Sequence, residues 1–492
     1  MITQDTRNRY KVAIGIECHV QLMTRTKLFS AAGNDARTAE PNTLINHIDL
    51  GMPGALPVLN RQAVELGMKA AFVLGSEPQK YSAFDRKHYF YPDLPMGYQI
   101  TQFYNPIIKD GHVEFEFEGQ KVTIRIHEAH LESDAGKSTH PAGQDYSLID
   151  YNRAGTPLLE IVSEPDIHSP QVAKMYAKEL YLRMRYAGVS DCNLYYGNMR
   201  FDVNVSVSTT DELGTRTETK NLNSFKSVER AAEYEIVRQI ELLEKGEPIV
   251  QETRGWDDAG QKTFSQRGKE QAHDYRYMPD PDIPPIVLSD DWIDSVRDHM
   301  PATPSDWRSR LLSIGLDESQ MDVLLESEVQ RDDIDYLRHI EAHMDQPELA
   351  RFLANWYVNV MIPIVDSDQF KLVDAQHILL ELEIHKLING GMLSSTNAKS
   401  LFLDIAARGE LPASLEDYAR DNGLLQMSDG SQLDEIVAQV LQENPMAVDD
   451  IKNGEQKAIG FLVGQIMKLS KGQANPALAQ QIILKHLDIT ID

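Results

Sequence analysis

Several features that would place the chain in a large class of proteins are missing from its sequence. It has only two cysteines, Cys18 and Cys192, which are too few for a disulfide framework and lie in no metal-binding spacing. No apolar run is long enough to cross a bilayer, and the first residues lack the apolar stretch of a signal peptide. We therefore expect a cytoplasmic protein with no membrane contact.

Positive charge is scarce as well. The 48 Lys and Arg residues face 75 Asp and Glu residues, which leaves a formal net charge of −27 at pH 7. A negative field of this size opposes general binding to nucleic acid, so any such contact needs a local basic surface. Residues 452–485 provide one, with five lysines and a single acidic residue. A solvated helical face explains these lysines nearly as well as a nucleic-acid site does.

One stretch near the N-terminus combines an apolar face with a polar face that could do chemistry. Residues 12–22, V-A-I-G-I-E-C-H-V-Q-L, alternate with a period of two, which predicts a β-strand. One face is apolar, and the other presents Glu17, His19 and Gln21 beside Gly15. A satisfied polar edge strand would explain this stretch taken alone, but three later stretches repeat the pattern.

The second of these stretches changes character along its length. Residues 122–134 alternate as a strand does, and their even positions pass from apolar side chains to Glu128, His130, Glu132 and Asp134. On an uninterrupted strand all even positions share one face. We therefore expect these groups at the rim of the core, where burial strengthens their electrostatic interactions.

Two further stretches present polar groups in a similar way, and a fifth strand adds to them. Residues 158–162 hold Glu160 inside an apolar run, where a carboxylate is rarely left without a partner. Residues 199–207 alternate cleanly, and a fifth strand follows them. The polar positions of these last two strands are Arg200, Asp202, Asn204, Ser206, Arg216, Glu218 and Lys220.

Two regions between these strands are rich in loop signals. Residues 84–102 set Arg86, Lys87, His88 and several tyrosines around two prolines and a glycine. Basic groups interleaved with aromatic rings suit phosphates and stacked bases, and a proline-braced loop whose tyrosines fill the core edge is an equally good explanation. A second loop-rich block, residues 251–285, ends in a cluster of prolines that predicts a domain boundary.

The carboxylates and the imidazole form a candidate metal site. Four strands of one antiparallel sheet supply the expected ligands, which are Glu17, His19, Glu132, Glu160 and Asp202. Such a set suits Mg²⁺ or Mn²⁺ better than Zn²⁺. With basic groups nearby to balance phosphate charge, the residues favour metal-dependent phosphoryl transfer, and a metal hydrolase fits almost as well. The A-G-K-S-T run at residues 135–139 is not a P-loop, because Leu131 stands where the first glycine belongs.

The character of the sequence changes near residue 289. Strand signals dominate before it, and helical periodicity with few strand signals dominates after it. A chain of 492 residues is too long for one core. We therefore expect an α+β protein with an antiparallel-sheet domain at residues 1–290, a helical domain at residues 291–407 and a small helical tail domain at residues 408–492.

Six stretches of the sequence resemble one known family. They are I-G-I-E-C-H-V-Q-L, D-R-K-H-Y-F-Y-P-D-L-P, H-L-E-S-D-A-G-K-S, N-R-A-G-T-P-L-L-E-I-V-S-E-P-D, K-N-L-N-S-F and H-D-Y-R-Y-M-P-D-P-D-I-P-P. From about residue 10 to its C-terminus the chain resembles the GatB family, the B subunits of the bacterial tRNA-dependent amidotransferases. The resemblance implies a cradle-shaped catalytic domain of the glutamine synthetase type and a YqeY-like tail domain that binds tRNA.

The resemblance also implies an activity. It implies that the chain phosphorylates, with ATP and Mg²⁺, the side-chain carboxylate of a misacylated Glu-tRNA(Gln) or Asp-tRNA(Asn). Ammonia that the glutaminase subunit, GatA, releases from glutamine then displaces the phosphate, in a GatCAB heterotrimer that also contains the small subunit GatC. This chain has no recognisable glutaminase nucleophile, which fits that division of labour. A tRNA-binding scaffold subunit without catalysis is the alternative.

The resemblance implies the metal ligands, and the basic groups near the site and in residues 452–485 supply the other expected roles. The expected catalytic residues are Glu17, His19, Glu132, Glu160 and Arg200, and the first four together with Asp202 are the expected metal ligands. The expected nucleotide-binding residues are Arg86, Lys87, Tyr89, Arg153, Asn204 and Lys220. The expected tRNA-binding residues are Lys457, Lys468, Lys471 and Lys485.

One departure from the family pattern concerns the loop after the first strand. Many relatives carry four cysteines there, which form a zinc knuckle. The corresponding positions in this chain are Ser30, Ala32, Asn46 and Asp49. We therefore expect no structural zinc.

Overall fold

Two units make up the chain in the computed structural model. They are Met1–Asp306 and Trp307–Asp492, and each is described by itself. The structure describes residues 2–268, 275–330, 334–367, 370–426, 430–452, 455, 457–470 and 473–487. The three predicted domain ranges stay predictions.

The first unit contains all the named strands. They are β1 (Lys11–Gln21), β2 (Tyr81–His88), β3 (Tyr98–Asn105), β4 (Ile108–Phe117), β5 (Gln120–Ser133), β6 (Lys137–Thr139), β7 (Leu148–Asp150), β8 (Pro157–Ser163), β9 (Met199–Ser208), β10 (Thr217–Leu222), β11 (Glu252–Asp257), β12 (Lys262–Gly268), β13 (Met278–Pro279) and β14 (Ile286–Val287). Its helices are α1 (Gln4–Arg7), α2 (Arg61–Val73), α3 (Pro170–Tyr186), α4 (Phe225–Glu244) and α5 (Asp290–Arg297), with a 3₁₀ turn at Tyr151–Arg153.

Strand β1 lies near the middle of an eight-stranded sheet whose order is β12-β11-β10-β9-β1-β8-β5-β4. Neighbouring strands are antiparallel except for the parallel pair β10 and β11. The alternation predicted for β1 is confirmed, because Ile14, Ile16, Cys18 and Val20 are fully or almost fully buried. They pack in one core with apolar side chains of helices α2, α3 and α4. The opposite face of β1 carries the polar residues.

Strand β5 corrects one expectation. Its pairing with β8 slips by one residue between Ile126 and Glu128, which is the signature of a β-bulge. Before the slip the even-numbered Ile126 lies in the core, and after it the odd-numbered Ala129 and Leu131 do. The expectation of one uninterrupted face was therefore wrong. The bulge turns His130 and its polar neighbours to the face of the sheet opposite the core.

The loop predicted at residues 84–102 is largely a hairpin. Strands β2 and β3 pair with each other from His88 opposite Tyr98 back to Ala83 opposite Asn105, so only residues 89–97 connect them. Side chains fasten β3 to the end of β5, because Gln102 accepts a bond from the Leu131 N–H at 3.0 Å. The prediction failed because the clustered prolines lie only in the connection. Residues 251–285 likewise contain β11, β12 and β13 rather than loops alone.

The long loop between β1 and α2 is held by buried polar groups. Lys27 is fully buried, and its ammonium lies 3.3 Å from a carboxylate oxygen of Asp49. The same oxygen accepts the backbone N–H of Asn46 at 2.9 Å. A buried ion pair of this kind requires partners for its remaining charge. The Lys27 ammonium finds one 3.5 Å away in the Tyr151 carbonyl, which ties the loop to the 3₁₀ turn.

Helix α4 is joined to the far side of the sheet through Glu235, which is fully buried. Its carboxylate accepts a bond from the Thr217 hydroxyl on β10 at 2.7 Å, and lies 3.0 Å from the Arg254 guanidinium on β11. Arg238 on the same helix donates to it at 2.7 Å. Burial alone would raise the pKa of Glu235, but the Arg238 guanidinium and the hydroxyl donors outweigh it and lower the pKa.

We predict that Glu235→Ala destabilises the first unit by about 3 kcal/mol, because it removes a buried carboxylate from Arg254 and leaves that guanidinium with Glu252 as its charge partner. Glu233→Ala is the matched control on the same helix, since Glu233 pairs with Arg7 at the surface and surface pairs contribute about 1 kcal/mol or less. The Glu235 contribution is present above pH 4.5 and is lost as the pH falls through the lowered pKa. Urea unfolding measures both, and equal losses for the two variants would contradict the prediction.

The named elements of the second unit are helices, and an isolated antiparallel bridge joins Leu393 to Leu425. Its helices are α6 (Pro304–Ser313), which begins in the first unit, α7 (Glu318–Glu328), α8 (Tyr336–Glu341), α9 (Pro347–Trp356), α10 (Asp374–Asn389), α11 (Ser395–Arg408), α12 (Leu415–Asp421), α13 (Gly430–Glu443), α14 (Pro445–Lys452), α15 (Lys457–Leu469) and α16 (Pro476–His486). A π turn, Tyr357–Met361, follows α9. Helices α13 to α16 share their own apolar cluster. Across the described part of the chain, no helix combines the length and apolarity needed to span a membrane.

Candidate active site

The register of β1 between β8 and β9 gathers polar side chains on one face of the sheet. Directly opposed residues of an antiparallel pair project to the same side, with Cβ atoms about 4.5–5.5 Å apart. His19 lies opposite Glu160 on β8 and opposite Arg200 on β9. Glu17 lies opposite Asp202 on β9. The face that points away from the core therefore collects charged groups from neighbouring strands.

His19, Glu132 and Glu160 form the first cluster, in which one ligand atom of each lies within 4.8 Å of the others. The His19 Nε2 atom is 3.5 Å from a Glu160 oxygen and 3.9 Å from a Glu132 oxygen. His130 Nε2 shows the same two distances to these carboxylates. Two ligands of one small cation, each about 2.1 Å from it, stand about 3–4 Å apart. The first cluster thus has the spacing of groups that share a divalent ion.

Burial and charge act against each other in this cluster. Burial alone lowers the pKa of both imidazoles, but Glu160 and its neighbouring carboxylates outweigh it and raise the pKa to about 9 for His19 and about 10 for His130. The two imidazolium groups in turn hold the pKa of Glu160 well below its usual range despite its burial. Burial and the charge of Glu160 raise the pKa of Glu132. Without a bound cation, the imidazoles supply the compensating positive charge.

Glu17, Asp202 and Glu218 form the second cluster, beside the first on the same face. The Lys220 ammonium lies 2.7 Å from Asp202 and 3.1 Å from Glu218. A bulge in β10 frees the backbone N–H of Asn221, which has a φ of 60°, to donate to Asp202 at 2.7 Å. Lysine therefore already offsets much of the negative charge of the second cluster.

Asn204 supports the second cluster from β9. Its side-chain amide donates to a Glu17 oxygen at 3.0 Å, which orients that carboxylate. Burial and three nearby carboxylates raise the pKa of Glu17. The carbonyl oxygen of the Asn204 side chain has no hydrogen-bond partner in the described part of the chain, so the cluster can accept one more donor.

Two arginines approach the first cluster through Asp134 at the end of β5. Arg153 from the 3₁₀ turn forms a short ion pair with Asp134, and an Arg200 nitrogen lies 3.5 Å from the same carboxylate. Burial of Asp134 raises its pKa, but the two guanidinium groups outweigh this and lower it. Asp134 therefore orients both arginines beside His19.

Lys87 projects from β2 toward the first cluster. Burial lowers its pKa, but the Tyr277 oxygen, Glu132 and Glu160 outweigh the burial and raise it. Its ammonium lies 5.0 Å from the centre of the Tyr275 ring. Burial is the main cause of the raised pKa of Tyr89, and the nearby Glu132 carboxylate adds to it. Lys87 thus sits among tyrosines as a fixed positive charge near the carboxylates.

Arg86 projects from the face of β2 opposite to the face that carries Lys87. Its guanidinium donates to Asp280 and to Asp282 at 2.8 Å each, and it lies 4.4 Å from the centre of the Tyr98 ring. These two carboxylate partners fasten β2 to the segment after β13, and the expected contact of Arg86 with a nucleotide stays a prediction. The expectation treated Arg86 and Lys87 as one loop, whereas consecutive residues on a strand point to opposite faces.

The structure brings most of the expected site residues together, but it divides them. The five expected metal ligands fall into two clusters rather than converging on one point. Sequence reasoning left Glu218 and His130 out of the expected ligands. Glu218 lies two positions before Lys220, so the period-two pattern places both on the same face of the strand. His130 likewise lies two positions before Glu132. The pattern that indicated Lys220 and Glu132 therefore indicated Glu218 and His130 as well.

The lysines expected to bind tRNA lie in the second unit. Lys457 begins α15, Lys468 is in its last turn and Lys485 is in the last turn of α16, and all three are exposed. Lys457 and Lys468 are eleven positions apart, about three turns, so they project from the same side of the helix. Lys471 lies outside the described residues.

Comparison with known proteins defines the class of this site. A family model described as the GatB/GatE catalytic domain matches residues 12–294, and one described as the GatB domain matches residues 338–487. The first match includes every residue of the two clusters, and the second lies within the helical unit.

Curated relatives give the particular family. A protein of Thermodesulfovibrio yellowstonii is 43% identical over 97% of this chain and 99% of its own length. A protein of Geobacillus kaustophilus is 44% identical over the same shares of the two chains. Both are named as the B subunit of aspartyl/glutamyl-tRNA(Asn/Gln) amidotransferase. The chain belongs to the family of amidotransferase B subunits, which confirms the resemblance seen in its sequence.

We predict that a divalent cation entering the first cluster releases protons. At pH 7 His19, with its pKa raised to about 9, is charged in the free protein and must become neutral to bind a metal ion. Affinity for Mn²⁺ or Mg²⁺ should therefore rise with pH up to about 9. Titration calorimetry in buffers of different ionisation enthalpy counts the protons.

His19→Gln should lower the proton count by about one. His127→Gln is the matched control, because His127 pairs with Glu164 at the surface and should leave the count unchanged. Cation binding without proton release at pH 7 would show that His19 is not a ligand.

Proposed function

We propose that this chain is the carboxylate-activating subunit of a tRNA-dependent amidotransferase. It uses ATP and Mg²⁺ to phosphorylate the side-chain carboxylate of a glutamate or aspartate that is esterified to tRNA. The observation that carries the proposal is the first cluster, where an imidazole and two carboxylates with cation-ligand spacing lie beside Lys87. The family to which the chain belongs supports the same activity.

The reaction needs activation because a carboxylate is a poor acyl donor. A substrate carboxylate oxygen attacks the γ-phosphorus of ATP, the bond to the bridging oxygen breaks, and ADP leaves. The product is an acyl phosphate. The nitrogen of ammonia then attacks the acyl carbon, the carbon–oxygen bond to phosphate breaks, and an amide and inorganic phosphate result. Both steps gather negative charge, so the site must supply positive charge.

The residues of the first cluster fit the role of Mg²⁺ ligands. His19, Glu132 and Glu160 would hold the ion, which would neutralise phosphate oxygens when bound. Lys87 supplies a fixed cation from β2, and Arg200, held by Asp134, supplies another from β9. A lysine and arginine pair kept in place before substrate arrives requires little reorganisation during the reaction.

Several partners and properties follow from this proposal. Ammonia would come from a glutaminase subunit, GatA, in a heterotrimer completed by the small subunit GatC, because an acyl phosphate open to water would hydrolyse. The substrates would be Glu-tRNA(Gln), Asp-tRNA(Asn) or both, and the work would take place in the cytoplasm. The antiparallel sheet with carboxylates on one face also supports a glutamine synthetase type of catalytic domain.

A scaffold that binds tRNA without catalysis is the less favoured alternative. It would have no need for two acidic clusters whose carboxylates are oriented by bonds such as that from Asn204 to Glu17. The cation titration separates the two possibilities, because a scaffold should show no uptake that depends on His19.

We predict that Glu132→Gln lowers ATP-dependent phosphorylation of Glu-tRNA(Gln) at least about 100-fold, because it removes one charge from the cation ligands. Glu116→Gln is the matched control, since Glu116 is exposed on β4 and should retain activity. The assay is transfer of the γ-phosphate of ATP to the aminoacyl group with assembled complex. Undiminished phosphorylation would remove Glu132 from the metal site.

We also propose that α15 and α16 present a basic surface to the tRNA backbone. On α15, Gly460 and Gly464 lie between Lys457 and Lys468 on the same side of the helix, and nothing lies within 4 Å of either missing Cβ. A polymer backbone can therefore approach this side of α15 closely. The local surface provides the positive charge that the net charge of the chain opposes.

Lys457→Ala with Lys468→Ala should weaken tRNA binding and reduce the slope of log K against log salt by about 2, since each phosphate contact contributes close to one. The matched control replaces Lys386 and Lys399 of helices α10 and α11 by alanine. Binding is followed by filter retention from 50 to 200 mM salt. An unchanged slope would mean that this face of α15 does not contact phosphates.

A further inference from the structure

A cavity of about 400 Å³ lies next to the first cluster. Gln21, the next residue of β1 on the polar face after His19, forms part of its wall, and Arg153 forms another part. Since alternate residues of a strand are about 6.5–7 Å apart, the cavity begins one side chain beyond His19. Its volume lies in the range of about 300–1,000 Å³ that is typical of small-molecule sites. The chemistry described above uses no part of this cavity except Arg153.

Two exposed tyrosines stand at the cavity. Tyr195 is 87% exposed and Tyr196 is 53% exposed, and both belong to the lining. Their ring centres are 5.1 Å apart with an angle of 81° between the planes. A base-sized ring can stack on either of them, and the Arg37 guanidinium lies 6.0 Å from the centre of the Tyr196 ring.

The turn that carries these tyrosines is well braced. The Tyr196 N–H donates to the Asn193 side chain at 3.1 Å, and the Gly197 N–H donates to the Leu194 carbonyl at 3.2 Å. Gly197 has a φ of 70°, which favours glycine. The rings are therefore presented by a fixed turn and need little ordering when a ligand binds.

Two side-chain carbonyl oxygens in the wall of the cavity accept no hydrogen bond from the described residues. Asn34 and Asn198 both line it and are at least nine-tenths buried. Their amide groups donate to the Leu22 carbonyl at 3.1 Å and to Gln21 at 2.9 Å. The carbonyl oxygens of both side chains have no donor in the described part of the chain. Both oxygens are enclosed by protein atoms, so they make the wall polar but do not themselves contact a ligand in the cavity.

The charges around the cavity suit one phosphate rather than several. Arg37 is paired with Asp35 at 2.7 Å, and Arg153 is paired with Asp134. Lys137 lines the cavity, is exposed and has no ion-pair partner among the residues that the structure describes. One free cation can hold a single phosphodiester, whereas a triphosphate needs more positive charge.

We propose that this cavity binds the single-stranded 3′ end of the tRNA, with its terminal base stacked on Tyr195 or Tyr196 and an adjacent phosphate at Lys137. The proposal rests on the proposed function, which requires an aminoacyl ester near His19. A terminal nucleoside in the cavity places its esterified ribose beside Gln21 and the amino acid toward the first cluster. The mouth is open and aromatic, as suits a ligand that arrives attached to a large polymer.

Binding of two RNA hairpins to the full chain tests the proposal. One hairpin has a four-nucleotide single-stranded 3′ overhang, the other is blunt, and fluorescence anisotropy gives both dissociation constants. We expect the overhang hairpin to bind about 10-fold more tightly than the blunt one, since stacking of one base changes affinity about 5- to 150-fold. Tyr195→Ala with Tyr196→Ala should abolish this preference.

Three further variants make the result decisive. Tyr195→Phe with Tyr196→Phe should keep the preference, because a phenyl ring also stacks. Tyr146→Ala is the matched control, since Tyr146 is 53% exposed and does not line the cavity, and it should keep the preference too. Lys137→Ala should lower the salt slope for the overhang hairpin by about 0.7, the value for one single-strand phosphate.

Two results would overturn the proposal. One is an unchanged overhang preference in the alanine pair. The other is a loss of Mg·ATP affinity in that pair with the RNA preference intact, which would assign the cavity to the adenosine of ATP. The test measures RNA binding and needs no turnover. Its result therefore stays informative even if the wild-type complex fails to phosphorylate its substrate.

Discussion

The repulsion among buried carboxylates is the constraint on which this structure depends. Ligand atoms of Glu160 and Glu132 lie within 4.8 Å of one another on the polar face of the sheet, and Glu17, Asp202 and Glu218 lie beside them. Like charges this close oppose folding unless positive charge offsets them. His19 and His130 do so in the first cluster and Lys220 does so in the second. The sheet can hold these carboxylates only because the cations come from the same strands.

This arrangement explains the strong asymmetry between the two faces of the sheet. One face is an apolar core shared with α2, α3 and α4, and it supplies the stability that offsets the charged face. Small irregularities then aim the polar groups. A bulge in β5 turns His130 to the charged face, and a bulge in β10 frees the Asn221 N–H for Asp202. Bulges near functional sites commonly re-aim side chains in this way.

The charged face also has a direction along β1. The second cluster lies at Glu17, the first lies at His19, and the cavity with the two tyrosines begins at Gln21. Each step is one same-face position along a rigid strand. A polymer-borne carboxylate entering from the cavity would meet the cation ligands before it reached Lys220. In the proposed function, positions along one strand would therefore order binding, activation and charge compensation.

Local sequence patterns were sufficient for much of this protein. Period-two alternation determined β1 and β9 and assigned Glu17, His19 and Asp202 to a polar face, because side-chain direction on a strand depends only on position. Six motifs were likewise enough to indicate the family.

Tertiary structure decided the features that depend on strand pairing and on one-residue slips in register. Only pairing shows that the expected ligands form two clusters, that Glu218 joins the second, and that Arg86 pairs with Asp280 and Asp282. The bulge in β5 reversed the face expected for His130 relative to Ile126. A slip of one residue leaves no periodic signal in the chain, because its energy comes from a neighbouring strand that is distant in sequence.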